Sequence, residues 1–314
     1  MKPTPTLFKK GTLLGTGWAK ELFKHRYIYL MLLPVVLYYF IFHYLPLYGI
    51  IIAFKDFAPL RGIWGSPWVG FEHFEQFFQS HYFWRLLQNT VLISFYDLLF
   101  GFPAPIILAL ILNEVRKEKF KRFVQTVSYL PHFISLIVIV GMVVDFLARD
   151  GLVNQLLSFI GVEPIAFMQS PEWFRTIYVS SNIWQTIGWG SIIYLAALTA
   201  ISPELYEASR VDGANRWKQL LHITLPGIMP TIVIMLILRV GDMMSVGHEK
   251  IILMYNPLTY ETADVIASFI YRKGLLEMSY SYSTAIGLFN AAINLFLLLW
   301  VNRMARRLSG TSLW

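Results

Sequence analysis

EASRVDGANRWKQLLHITLP, residues 207–226, lies between two strongly apolar stretches about two thirds of the way along the chain. Pro203 and Glu204 open this polar insert, Glu207 and Ala208 begin a helical run, and Asp212-Gly213 signals a turn. Trp217, Leu220 and Leu221 then recur at helical spacing until Pro226 starts the next apolar run. Arg210, Arg216 and Lys218 keep the insert out of hydrocarbon. The stretch predicts a short helix, a turn and a second short helix, offered to something soluble.

The flanking runs set the class. Of 314 residues, 56% are hydrophobic and 14% charged, against about a quarter charged in a soluble chain. Several apolar runs approach or exceed the ~18–20 residues that cross a bilayer. An all-α polytopic membrane protein of one domain is expected, its core made by helices packing in lipid. The net charge of +7 reads as inner Lys and Arg fixing topology, not as a nucleic-acid surface. With no cysteine, disulfides, thiol catalysis and Cys-ligated metals are excluded. The basic N-terminus precedes a long apolar run without a small-residue cleavage site, so that run is a retained span. Gly11, Gly15, Gly17 and Lys20 lack phosphate-loop spacing, so this chain is not expected to hydrolyse ATP.

In chain order, residues 1–26 form a cytoplasmic segment and 27–302 a membrane domain. Six spans are expected, at about 27–51, 87–113, 127–147, 176–201, 228–245 and 280–301, with the polar loop at 202–226 and a cytoplasmic tail at 303–314. Pro34 and Pro46 should bend the first span, and Pro131 falls early in the third. The aromatics between Lys55 and Trp84 suggest a helix at headgroup level. Between the last two spans lie the turn Asn256-Pro257 and an amphipathic run at 266–271. With both termini inside, the inner segments hold seventeen Lys and Arg and the outer segments eight. That is the asymmetry of the positive-inside rule, and it puts 207–226 in the cytoplasm.

Glu207-Ala208-Ser209, Gly213, Ile223 and Leu225-Pro226 stand at the spacing of the EAA signature of ABC importer permeases, with Ser209 where the signature has a second alanine. FHYLPLYGIIIAFKDF (42–57), WVGFEHF (68–74), LQNTVLIS (87–94), YLPHFIS (129–135) and YNPLTYETADVIASFIYRKGL (255–275) resemble the maltose-type, oligosaccharide-importing branch over nearly the full length. Within it the chain is most similar to permeases for plant or algal wall oligo- and polysaccharides. The resemblance implies a type I permease fold of the bacterial inner membrane, with alginate or other oligo-uronates as cargo. It also implies a second homologous permease, two ATPase subunits that carry ATP and Mg, and an external solute-binding protein; no cofactor is expected on this chain. The loop would then be a coupling helix seated on an ATPase, with Glu207, Ala208, Ser209, Asp212, Gly213 and Arg216 as its contact residues. Glu207 would pair with an ATPase cation, or stabilise the first turn of its own helix. Ala208 would allow close approach, and Gly213 would supply the turn.

For the pathway, Asn182, Gln185 and Trp189 fall on one face of the fourth span, with Trp184 beside them. Amides bond sugar hydroxyls and indoles cover sugar C–H patches; the same amides also serve as interhelical glue. Arg239 and Asp242, one turn apart in the fifth span, fit a uronate contact, a local ion pair or a contact with the partner permease. Asp97 and Asp145 read as buried acids, structural or cavity-lining. Tyr280, Tyr282 and Asn290 either reach the pathway or belong to an interface belt. His248 and Glu249 lack zinc-motif spacing. The alternative is an ion-coupled secondary transporter using Asp97, Asp145 and Asp242. A membrane-embedded enzyme lacks a convincing nucleophile or acid–base set.

Overall fold

The fold is that of a computed structural model describing residues 24–310, 312 and 313, with all their side chains except those of 308 and 309. The expected N-terminal segment, including the Gly11–Lys20 cluster, lies almost wholly outside the described residues. Among those described, structure is helical apart from one isolated antiparallel bridge, Lys55 to Trp68.

The described residues up to 51 form one compact unit. Its helix α1 (Arg26–Tyr39) carries Pro34 and passes through a π turn (Phe40–Tyr44) into a 3-10 stretch, Leu45–Phe54. The large apolar side chains from Tyr27 to Tyr48 are exposed, as expected of a helix whose solvent is lipid.

The second unit begins at Ile52. The aromatic segment holds a helical turn at Gly62–Gly65 and a short helix α2 (Glu72–Gln79). Helix α3 (Phe83–Tyr96) continues through a π turn (Asp97–Gly101) into α4 (Pro103–Glu114), giving 32 helical residues. The widened turn lies just before Pro103, which has no N–H to give and whose ring would crowd a regular helix.

The third span departs from expectation. It is two helices, α5 (Glu118–Phe133) and α6 (Leu136–Phe146), bent by 104°. Pro131 removes a donor in the last turn of α5, and Ser135 caps α6 by accepting from the Val138 N–H. Asp145, expected to be buried, is exposed in the last turn of α6.

A short helix α7 (Leu152–Ser158) precedes α8 (Pro171–Thr199), 29 residues long with Pro171 opening it. A Cβ on Gly188 would come within 2.1 Å of the Ser128 carbonyl oxygen, so only glycine lets α5 and α8 approach this closely. The chain then bends 67° into α9 (Pro203–Val211).

The fifth span also differs. It starts inside the polar loop, as α10 (Arg216–Gln219), a π turn (Leu220–Thr224) and α11 (Leu225–Gly241) form 26 continuous helical residues. Pro226 does not break it, because the preceding π turn again accommodates the proline. The helix ends at Gly241, earlier than expected. Helices α12 (His248–Met254) and α13 (Ile266–Tyr271) follow, and α14 (Tyr280–Ser309) runs on through Arg303, Arg306 and Arg307. Among the described residues four helices are long and apolar enough to cross a membrane, or up to six spans if each bent pair is one.

Three buried apolar clusters make up the core of the second unit. Ile93, Val140, Phe174, Ile177 and Ile251 form one, and Phe77, Leu86, Ile266, Phe269 and Ile286 a second. Ile106, Ala109, Tyr194, Leu198 and Ile228 form a third, toward the polar loop. The 266–271 run, expected to be amphipathic, buries Ile266, Ser268 and Phe269.

Candidate transport cavity and coupling loop

The polar loop is a built object. Ser202 caps α9 by accepting from the Glu204 N–H at 3.3 Å. At the other end Gly213 has φ +76°, Ala214 N–H donates to the Ser209 carbonyl at 2.8 Å and Gly213 N–H to that of Arg210 at 3.1 Å. This left-handed closure satisfies the last carbonyls of α9 and reverses the chain. Asn215 then caps α10, accepting from the Lys218 N–H at 2.9 Å.

Three further bonds fix α9 against the start of the fifth span. Gln219 donates to the Ser209 hydroxyl at 2.9 Å and to the Tyr206 carbonyl at 3.4 Å; the Tyr206 and Thr224 hydroxyls lie 3.0 Å apart. Arg216 pairs with Glu114 at the end of α4. Glu207, Ala208, Asp212 and Gly213 stay exposed, beside exposed Leu205, Val211 and Trp217. Ser209 and Arg216 thus bond within the chain, and the other four residues present an open face. Gln219, Tyr206 and Thr224 escaped the sequence reading because their roles depend on the fold of the turn.

Further along, Asp97 of the first π turn accepts from Arg239 of α11 and, at 2.7 Å, from Asn182 of α8. Three helices meet at one carboxylate. Gly101 makes this possible, since a Cβ there would lie 2.9 Å from Asp97 Oδ1. Arg239 therefore pairs with Asp97, 142 residues away, and not with its neighbour Asp242. Asp242 caps the end of α11 and lines the same cavity of 170 Å³, together with Ser94, Asp97, Asn182, Arg239 and Ser245. Its floor is held by Asn290, a residue already marked in the sequence, and by Ser94 and Asn294, which were not. Ser94 donates to the Met243 carbonyl, Asn294 accepts from the Met244 N–H at 2.9 Å, and Asn290 donates to the Met244 carbonyl at 3.3 Å.

The remaining candidates are not gathered there. Trp189 stacks on His132 at 4.5 Å, Trp184 lines a separate apolar cavity with Met142 and Phe146, and Gln185 is half-buried. Tyr282 packs edge-on to Phe77 and Phe269, and Tyr280 to Phe57. The structure brings Asn182, Arg239 and Asp242 together and leaves the other three apart. The cavity wall carries Asp97, Asp242 and Arg239, a surplus of one formal negative charge. It suits hydroxyl groups better than carboxylates.

A polar cavity within apolar helices, and a stapled polar loop at one end of them, are the parts of a membrane transport subunit. Residues 101–310 match the family described as "Binding-protein-dependent transport system inner membrane component". The chain belongs to this family. It is 46% identical, over 91% of its length and 90% of the relative's, to the polygalacturonan/rhamnogalacturonan transport system permease protein YteP of Bacillus subtilis. It also resembles a solved bacterial ABC transporter involved in import of the acidic polysaccharide alginate, with TM-score 0.87, 48% identity and coverage of 93% of this chain and 99% of that one. A second structure, of the alginate transporter with an alginate pentasaccharide-bound periplasmic protein, aligns with TM-score 0.88 and 47% identity over 95% and 100%. The fold class is thus that of an ABC importer permease, and the chain is a transport subunit. An ion-coupled carrier has no support.

Proposed function

We propose that this chain is the inner-membrane permease of an ABC importer that carries acidic oligo- and polysaccharides, alginate-like oligo-uronates among them, into the cytoplasm. The observation that carries the reading is the cavity on Asp97, where an amide, a guanidinium and two hydroxyl side chains face one another inside an apolar bundle. Such groups bond sugar hydroxyls in place of water. The acidic class rests on the relatives named above. Asn182, Arg239 and Asp242 bind sugar there, and Trp184, Gln185 and Trp189 lie further along the path.

Both termini and the 202–226 loop face the cytoplasm in this reading, as the charge asymmetry supports. A second homologous permease, two ATPase subunits holding ATP and Mg, and a periplasmic solute-binding protein complete the importer in the membrane lipid. Glu207, Ala208, Asp212 and Gly213 meet an ATPase; Ser209 and Arg216 hold the contact face in shape. ATP closes the ATPase pair and must favour the outward-facing state by several kcal/mol for populations to reverse. The test is ATP-driven uptake in proteoliposomes holding the co-purified partners. Uptake of alginate oligosaccharides is expected. Uptake of neutral sugars alone would refute the acidic class, and solute movement without ATP would refute the importer.

A further inference from the structure

The cavity on Asp97 offers no surplus cation, so an acidic chain needs another group to recognise its carboxylates. Arg175 stands seven residues before Asn182 on the same face of α8, about 10 Å nearer the outer end. That exceeds the reach of one sugar ring. Its Nη2 donates to Asn89 Oδ1 at 2.8 Å, a neutral acceptor, and its Nε is buried without any acceptor. Among the described residues no carboxylate lies within ion-pair distance of Arg175. The nearby buried Asp264 is committed to Arg272 at 2.7 Å and Arg85 at 3.4 Å, while Asn89 is held by the Glu261 and Asp264 carbonyls. Arg175 is thus fixed in place without an ion-pair partner. It lines a 430 Å³ cavity with Tyr96, Phe100, Thr176 and Ser180, aromatic faces and hydroxyls that fit a pyranose. Glu172, exposed and one turn before Arg175, lines the same cavity.

We propose that Arg175 and this cavity form a carboxylate subsite for a uronate further along the chain than the sugar held at Asp97. The inference rests on the acidic-cargo reading above. Its test is titration of an alginate tetrasaccharide, and of the same chain with its carboxyls reduced, into the purified importer held with ATP and without binding protein. Arg175→Gln is expected to weaken the acidic chain about tenfold, the size of one charge-assisted bond, and to leave the reduced chain unchanged. Glu172→Gln is expected to tighten the acidic chain, and both effects should shrink with salt. Glu172 is exposed, so that variant decides the matter even if Arg175→Gln fails to assemble. Acidic-chain affinity that neither variant changes, or equal loss for both chains, overturns the subsite alone. A wild type that does not bind the acidic chain overturns the acidic reading and the subsite together.

Discussion

Gln219 reaches back across the turn to the Ser209 hydroxyl, 2.9 Å away. Ser209 in turn donates to the Tyr206 carbonyl at 2.8 Å, so the residue that departs from the EAA signature is a link in the loop. Gln219→Ala removes two bonds, to the Ser209 hydroxyl and the Tyr206 carbonyl, each of about 1 kcal/mol, without touching the exposed face. It is expected to leave assembly with the ATPases intact and to lower sugar moved per ATP hydrolysed by several-fold. Unchanged stoichiometry in proteoliposomes would remove the link from the coupling path.

Gly213 has open space around its missing side chain but a φ of +76°. Strain, not collision, should decide what replaces it. Gly213→Asn, which tolerates the left-handed region, is expected to retain most transport, and Gly213→Val to lose most of it, because a β-branched residue there is a steric outlier. Equal transport by the two variants would count against this account of the turn.

Asp97 serves two partners at once. Asp97→Asn leaves the Arg239 guanidinium half-buried without its carboxylate and should destabilise the protein by about 1–3 kcal/mol, below the range for fully buried pairs because Arg239 is 48% exposed. The double variant Asp97→Asn/Arg239→Gln should regain part of the loss. Thermal unfolding in detergent checks both; a double variant less stable than the single one would contradict a pair worth breaking only once.

Lys250 is 4% exposed, its ammonium has no hydrogen-bond acceptor, and it lies 5.4 Å from the centre of the Tyr178 ring. Burial pushes its pKa from 10.5 down to about 8. The unfolded chain therefore holds more protons between about pH 8 and 10.5, and stability should rise with pH across that window. Below it the charged form carries the whole penalty, up to about 3 kcal/mol. Lys250→Met is expected to raise the unfolding temperature at pH 7 and to flatten the rise above pH 8. A variant less stable than wild type at pH 7 would mean that Tyr178 more than compensates the ammonium.

The loop was the most legible part of the chain, because its turn, caps and charges are encoded within twenty residues of one another. Span positions followed from apolar runs, but their ends did not. Pro226 reads as the start of a span in sequence, whereas a π turn carries the helix past it, and Pro131, which falls early in the expected third span, stands instead at the 104° bend that divides it. Arg239 was recognisable as costly in a membrane, yet its partner Asp97 is 142 residues distant and its helix neighbour Asp242 was the only local candidate. Arg175 looked like one more outer charge. Only the commitment of Asp264 to Arg85 and Arg272 sets it apart.

The unbroken helix from Arg216 to Gly241 has a mechanical consequence. Its 26 residues span about 39 Å, with the stapled turn at one end and Arg239 near the other. Moved as one body about the turn, it would be a lever whose arm is nearly the thickness of the membrane. Tilted by about 5°, an arm of that length displaces its tip by about 3 Å, as much as the reach of a hydrogen bond. A nudge at the turn, too small to remodel the loop, would then be enough to part Arg239 from Asp97.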